Sequence, residues 1–204
     1  MEFITSTQQL RQHYKDVSER ARLKEMRKLD RHARTFIAHS PFVVIASQDG
    51  NGNGDATPKG DRPGFVVVLD DHTIAIPARP GNNRLATWQN VIANPAVGLL
   101  FMIPGMNETL RVNGTARITA DPELRERFAI DGKLPITVLV VRVNAFYMHC
   151  AKAYLRSELW KPETWPDRSS LPTLGQILAD QIATSQSGPE VDASLTESYA
   201  KTMW

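Results

Sequence analysis

Apolar residues recur along this chain with two different periods. From Ser18 to His39 there is no Gly or Pro, and Leu23, Met26, Leu29, Ala33, Phe36 and Ile37 return at spacings of three and four. That is one apolar helix face, so residues 7–40 read as helical, with the interspersed charges as a solvated face and Ser40-Pro41 as the stop. Beyond Pro41 the pattern changes. PFVVIAS (41–47), FVVVL (65–69), TIAIP (73–77), VGLLFMI (97–103), ETLRVNGTARIT (108–119) and ITVLVVRVNAFYMHC (136–150) are apolar or alternating runs of the kind strands require. DGNGNGD (49–55), DDHT (70–73) and IPGMN (103–107) supply turns between them. Gly114, in the middle of a long alternating run, predicts a bend or bulge. Brief helices are expected over 84–93, 121–130 and about 151–159, and a further apolar-periodic one at about 173–183.

Six strands with short turns predict a mainly β fold with flanking helices, an antiparallel barrel that is closed or nearly closed. The chain divides into an N-terminal helical segment (1–40), the barrel (41–160) and a C-terminal helix with an arm (161–204). ATSQSGPEVDASLTES (183–198) is small and polar and reads as a mobile or extended arm. Tyr199 and Trp204 beyond it are expected to dock on a groove or on a partner subunit.

Composition narrows the function classes. With 204 residues there is enough chain for one domain with a sizeable core. A net charge of +2, with both signs interspersed, gives no concentrated basic face for a nucleic acid. The longest apolar runs are strand-length and far short of a membrane span. The N-terminus lacks a basic start followed by an apolar core, and the one cysteine, Cys150, has no internal partner. These features point to a soluble protein of a reducing cytoplasm.

The motif search is mostly negative. His13, His32, His39, His72, His149 and Cys150 match no zinc spacing, so no metal site is expected. There is no G-x-S-x-G elbow, and Cys150 reads as a half-buried thiol at a strand end rather than a nucleophile. GNGNGD lies between two strands with no helix opening after it, so it is a hairpin turn and not a dinucleotide fingerprint. What remains is a scatter of polar and basic residues near strand ends. RPGNNR (79–84) stands out because it leads into a helix, where free backbone N–H groups favour an anion and Arg79 and Arg84 add planar donors.

Taken together, DATPKGDRPGFV (55–66), RPGNNR, NPAVGLLF (94–101), ETLRVNG (108–114) and HCAKAYLRSELW (149–160) resemble, in order, the motifs of the pyridoxamine 5′-phosphate oxidase-like, FMN-binding split-barrel proteins. The resemblance covers roughly residues 18–180. It implies a six-stranded antiparallel split β-barrel and a homodimer with FMN in the clefts between protomers. It also implies a set of cofactor-binding residues. Lys59 takes the basic role beside the flavin and Thr57 the small hydroxyl role, with Pro58 and Gly60 shaping the backbone. Arg84, with Asn83, falls at the phosphate position. Thr109 and Arg111 lie on the strand that carries a flavin-contacting glutamine in pyridoxamine phosphate oxidases. Arg156, Ser157 and Trp160 resemble the C-terminal element that reaches FMN, from the same or the second protomer. Lys152, like Lys59, could supply a cation near the flavin's N1–C2=O edge.

Two departures matter. Lysine replaces the more usual arginine at 59, which keeps the charge and gives up the bidentate fork. The C-terminal arginine–leucine–proline pattern that helps hold the B6 phosphate is replaced by LPTLGQILADQ (171–181). The flavin site is therefore carried over and the B6 substrate is not. The implied activity is that of an FMN-dependent oxidoreductase with no assigned catalytic residue or substrate beyond a small molecule. The alternatives are a non-catalytic flavin carrier or sensor, an F420-dependent reductase, or a barrel without flavin.

Overall fold

Seven runs of the sequence pair into one antiparallel sheet. A computed structural model describes residues 1–182 and 185–204. The strands are β1 (Phe42–Gln48), β2 (Gly54–Gly60), β3 (Val67–Asp70), β4 (Thr73–Pro77), β5 (Ala96–Met102), β6 (Thr109–Thr119) and β7 (Val138–His149), in the order β2-β1-β5-β6-β7-β4-β3. The strand beyond the expected six is β2, whose sequence GDATPKG has little strand propensity. It forms because the tight turn before it feeds it back along β1, from Gln48↔Gly54 to Phe42↔Gly60. Its place at the sheet edge tolerates Pro58, which has no N–H to give a ladder.

Core residues show how the sheet curls. Ile45 of β1 and Ile74 and Ile76 of β4, from opposite ends of the strand order, belong to one buried cluster with Leu99, Phe101, Leu110 and Val112. The edges β2 and β3 share no ladder among the described residues, so the barrel stays split. Gly114 lies at the bend. The β6–β7 register shifts between Asn113 and Gly114, and a Cβ on Gly114 would stand 2.5 Å from the Arg142 carbonyl oxygen.

The N-terminal segment is not one long helix. It forms α1 (Thr7–Gln12), α2 (Glu19–Leu23) and α3 (Arg31–His39). Between α2 and α3 the backbone is taken by the sheet: Met26 exchanges hydrogen bonds with Phe146 (3.0 and 2.7 Å), and Leu29 N–H donates to the Asp71 carbonyl (2.8 Å). Only the later part of the expected apolar stripe faces the core. Leu29, Ala33, Phe36 and Ile37 are buried, while Leu23 and Met26 are exposed. Asp30 then caps α3 by accepting from Ala33 N–H.

The remaining helices are α4 (Ala86–Ala93), α5 (Pro122–Glu126), α6 (Lys152–Ser157), α7 (Leu174–Ile182) and α8 (Gly188–Thr202). The stretch expected as an arm is thus largely helical. Ala183 and Thr184 at its start lie outside the described residues. From Ser187 on it carries a capping box, in which Ser187 N–H donates to Glu190 (2.7 Å). α7 and α8 pack closely at Gly175 and Gly188, and Gly175 N–H donates to Asp192 Oδ1 (2.8 Å). Among the described residues no helix is long and apolar enough to cross a membrane.

Candidate functional site

Strand alternation decides which side chains can meet. Following the register, Thr57 lies opposite Ile45, then Leu99, Val112 and Phe146, and the last four are buried. Asp55, Thr57 and Lys59 therefore point to the inner face. Pro58 is in register with Val44, Leu100, Arg111 and Tyr147, which point outward.

On the inner side, β2, residues 78–88 and residues 136–137 enclose a cleft of about 510 Å³. That lies within the usual size range of small-molecule sites, about 300–1,000 Å³. Lys59 Nζ stands 4.9 Å from the centroid of the Trp88 ring. Burial pushes the Lys59 ammonium below its ordinary pKa, and the Asp55 carboxylate partly offsets this. Asp55 is engaged by Thr87, whose hydroxyl donates to it at 3.3 Å. Trp88 is held by its indole N–H, which donates to the Thr137 hydroxyl at 2.9 Å.

The loop before α4 forms the rest of the wall. Arg84 N–H donates to Asn82 Oδ1 (3.0 Å), and Asn83 and Leu85 both take the left-handed conformation, at φ 57° and 58°. Leu85 occupies the N-cap and offers no side-chain acceptor, so the first turn of α4 opens into the cleft without an internal cap. Such a turn presents N–H groups and a partial positive charge to an anion. Among the described residues the Arg84 guanidinium makes no ion pair.

Arg79, the other arginine of the loop, is committed elsewhere. Its Nε donates to Asp61 Oδ2 at 2.6 Å and its Nη1 to the Phe128 carbonyl at 2.8 Å. The pair is largely buried, with side-chain exposures of 17 % and 13 %. The ring of Trp204 lies 5.4 Å from the Arg79 guanidinium carbon and 5.8 Å from Lys133 Nζ. The last aromatic residue thus docks beside the cleft on its own chain.

Of the twelve residues expected at a cofactor, one chain brings Thr57, Lys59, Asn83 and Arg84 into this cleft. Pro58 and Gly60 belong to the same strand but point outward. The other six gather where β6 begins and β7 ends. Thr109 lies opposite His149 and is buried, and Arg111 lies opposite Tyr147. Lys152, Arg156 and Ser157 are exposed on α6. Trp160 donates its indole N–H to the Met106 carbonyl (2.9 Å) and stacks on Tyr154 at 5.5 Å. Cys150 is exposed, not half-buried, because the chain has already left β7. Asp55, Thr87, Trp88 and Thr137 also line the cleft and were missed by the sequence reading. Asp55 was within reach, since D-x-T-x-K alternates to one face.

The family model described as pyridoxamine 5′-phosphate oxidase matches residues 29–150. Solved structures similar to the chain include a pyridoxamine 5′-phosphate oxidase-like protein from Lactobacillus delbrueckii (19 % identity, 60 % of this chain and 95 % of that one, TM-score 0.49). They also include HupZ from Group A Streptococcus (17 %, 58 % and 91 %, 0.47) and an FMN-binding protein from Syntrophomonas wolfei (17 %, 58 % and 84 %, 0.47). Among curated proteins none matches. With the family model spanning more than half of its length, the chain belongs to the pyridoxamine 5′-phosphate oxidase family.

Proposed function

We propose that this chain binds FMN in the cleft between β2 and the 79–88 segment and works as a homodimeric flavin-dependent oxidoreductase on a small molecule. The observation that carries the reading is the pairing of an uncapped α4 N-terminus and Arg84, which has no ion pair among the described residues, with Lys59 across one cleft. This donor set fits a ligand with a phosphate at one end and a flat, hydrogen-bonding ring at the other. Arg84 and the Ala86–Trp88 N–H groups would hold the phosphate. Lys59, stacked on Trp88, would place a positive charge where a reduced ring gains negative charge. Thr57 would orient the ring edge by its hydroxyl. A bound flavin supplies hydride transfer at its N5.

Two features support a dimer. The outer face carries Phe42, Val44, Leu100 and Met102, apolar and only partly covered. The six residues at the β6–β7 end that the family resemblance assigns to the flavin stand outside the cleft of their own chain, and a second copy would bring them to one. The test is a visible spectrum of the purified protein after an FMN soak and desalting. Near one flavin per chain supports the reading, and NADH and NADPH oxidation assays follow. A colourless protein overturns it.

A further inference from the structure

Both ends of the chain lie outside residues 29–150, the stretch that the family model matches. At the N-terminal end every residue from Met1 to Lys28 is exposed, and α1 and α2 bury no side chain. Their starts are nonetheless specified, since the Ser6 and Ser18 hydroxyls accept from Gln9 N–H and Ala21 N–H. Helices of six and five residues are far shorter than those that hold by themselves in water. Phe3, Tyr14 and Leu23 stand 73 %, 68 % and 70 % exposed on this segment. Among the described residues its ties to the rest of its own chain begin at Lys24, whose Nζ donates to the Met148 carbonyl (2.8 Å). They continue with the Met26–Phe146 bridge and the Lys28–Asp71 ion pair (2.7 Å).

The C-terminal end has complementary features. α7 and α8 pack chiefly on each other, and Leu174, Ile182 and Tyr199 remain exposed. Residues 1–28 carry seven Lys or Arg and four Asp or Glu, a net charge of +3, whereas residues 173–204 carry one and four, a net charge of −3. Within one copy the two anchor points lie apart. Trp204 docks by Arg79, just past the Pro77↔Val138 pair at the start of β7. The N-terminal arm leaves the sheet at Phe146, roughly 25 Å further along that strand.

We propose that residues 1–23 of one copy dock on the α7–α8 pair of a second copy. The exposed apolar side chains of the two segments supply the buried area, and their opposite net charges select each other. In a two-fold pair each copy gives one arm and receives one. Trp204 fixes α8 to its own barrel, so the receiving surface is presented in one place. The contact is separate from the cleft and from the outer face of β1 and β5, and it stands whether or not the cleft holds a flavin.

The experiment is hydrogen exchange of the full chain, without added flavin, across a dilution series. Undocked helices of this length give their amides little protection. The expected result is that α1 and α2 amides exchange several-fold slower than an unstructured chain at high protein concentration and lose that protection on dilution. Two variants reverse the sign of one segment each: Arg20→Glu with Arg22→Glu in the arm, and Asp180→Lys with Glu197→Lys in the pair. All four side chains are exposed, and the caps made by Glu190 and Asp192 are left in place. Each variant alone should lose the α1 and α2 protection while β6 and β7 amides keep theirs. An equimolar mixture of the two, brought to equilibrium, should regain it, because each arm then meets a pair of opposite sign. Wild-type α1 and α2 amides that exchange as an unstructured chain at every concentration overturn the proposal. So does a mixture no better protected than its components. Protection that persists on dilution assigns the contact to the arm's own chain and also overturns it. A colourless protein after an FMN soak bears on the cleft alone.

Discussion

The Lys59 ammonium sits 4.9 Å from the centre of the Trp88 ring, on the inner face of an edge strand. Desolvation there favours the neutral amine, so its folded pKa lies below the ordinary 10.5. Between the two values the unfolded chain binds more protons, and stability rises with pH through that window. Anion binding has the opposite sign, because a bound phosphate or reduced flavin favours the ammonium. FMN affinity is expected to be full below the folded Lys59 pKa and to fall above it. Fluorescence titrations of FMN from neutral to alkaline pH check this. Lys59→Met should lose the alkaline fall and bind about 10-fold or more weakly at neutral pH. The same pH slope in both proteins would remove Lys59 from the site.

The two arginines of the RPGNNR loop separate binding from folding. Among the described residues Arg84 has no ion pair, and it borders the uncapped α4 turn. Arg84→Ala is expected to cost about 1.5–3 kcal/mol of FMN affinity, the range of a charge-assisted contact, with little change in thermal stability. Arg79→Ala leaves Asp61 as an uncompensated, largely buried charge and is expected to cost about 3–5 kcal/mol of stability. Calorimetric melts beside FMN titrations of both variants distinguish the roles. An Arg84 variant with wild-type affinity would reject it as a phosphate ligand.

Much of the barrel was legible because its strands are β-branched runs separated by turn residues. β2 was not, because GDATPKG reads as loop and becomes a strand only through its ladder to β1. The break at Met26–Leu29 was hidden for a related reason. Nothing local stops that helix, and the sheet takes its backbone through Phe146 and Asp71. α8 had a readable signal in Ser187-Gly-Pro-Glu190, a capping box that the small polar composition obscured. In the candidate site, D-x-T-x-K and RPGNNR could be read from the chain. The commitment of Arg79 to Asp61 and the approach of Lys24 and of Arg111 to the Tyr147 ring depend on contacts between distant segments.

Gly114 is required by closeness, not by its backbone angles. A methyl there would stand 2.5 Å from the Arg142 carbonyl oxygen and 2.6 Å from Val141 Cγ1. The bulge would have to open to admit it. Gly114→Ala is expected to lower stability by at least about 1–3 kcal/mol, the cost of overpacking a filled site. Urea unfolding measures it. Gly54, whose added Cβ would meet nothing within 4 Å, is the control, and Gly54→Ala should change stability much less.

Trp204 ties the C-terminal hairpin to the cleft rim. Its ring contacts both Arg79 and Lys133, and Arg79 is fixed by Asp61 and the Phe128 carbonyl, so the tryptophan docks on a rigid platform. Each contact of this kind contributes about 0.5–1 kcal/mol when partly exposed. Trp204→Ala is expected to leave the sheet intact and to free the end of α8. Hydrogen exchange reads this directly: amides near the C-terminal end of α8 should exchange several-fold faster, while β6 and β7 amides keep their protection. Unchanged exchange in α8 would mean that the Gly175–Gly188 seam and the Asp192 cap hold the hairpin without Trp204.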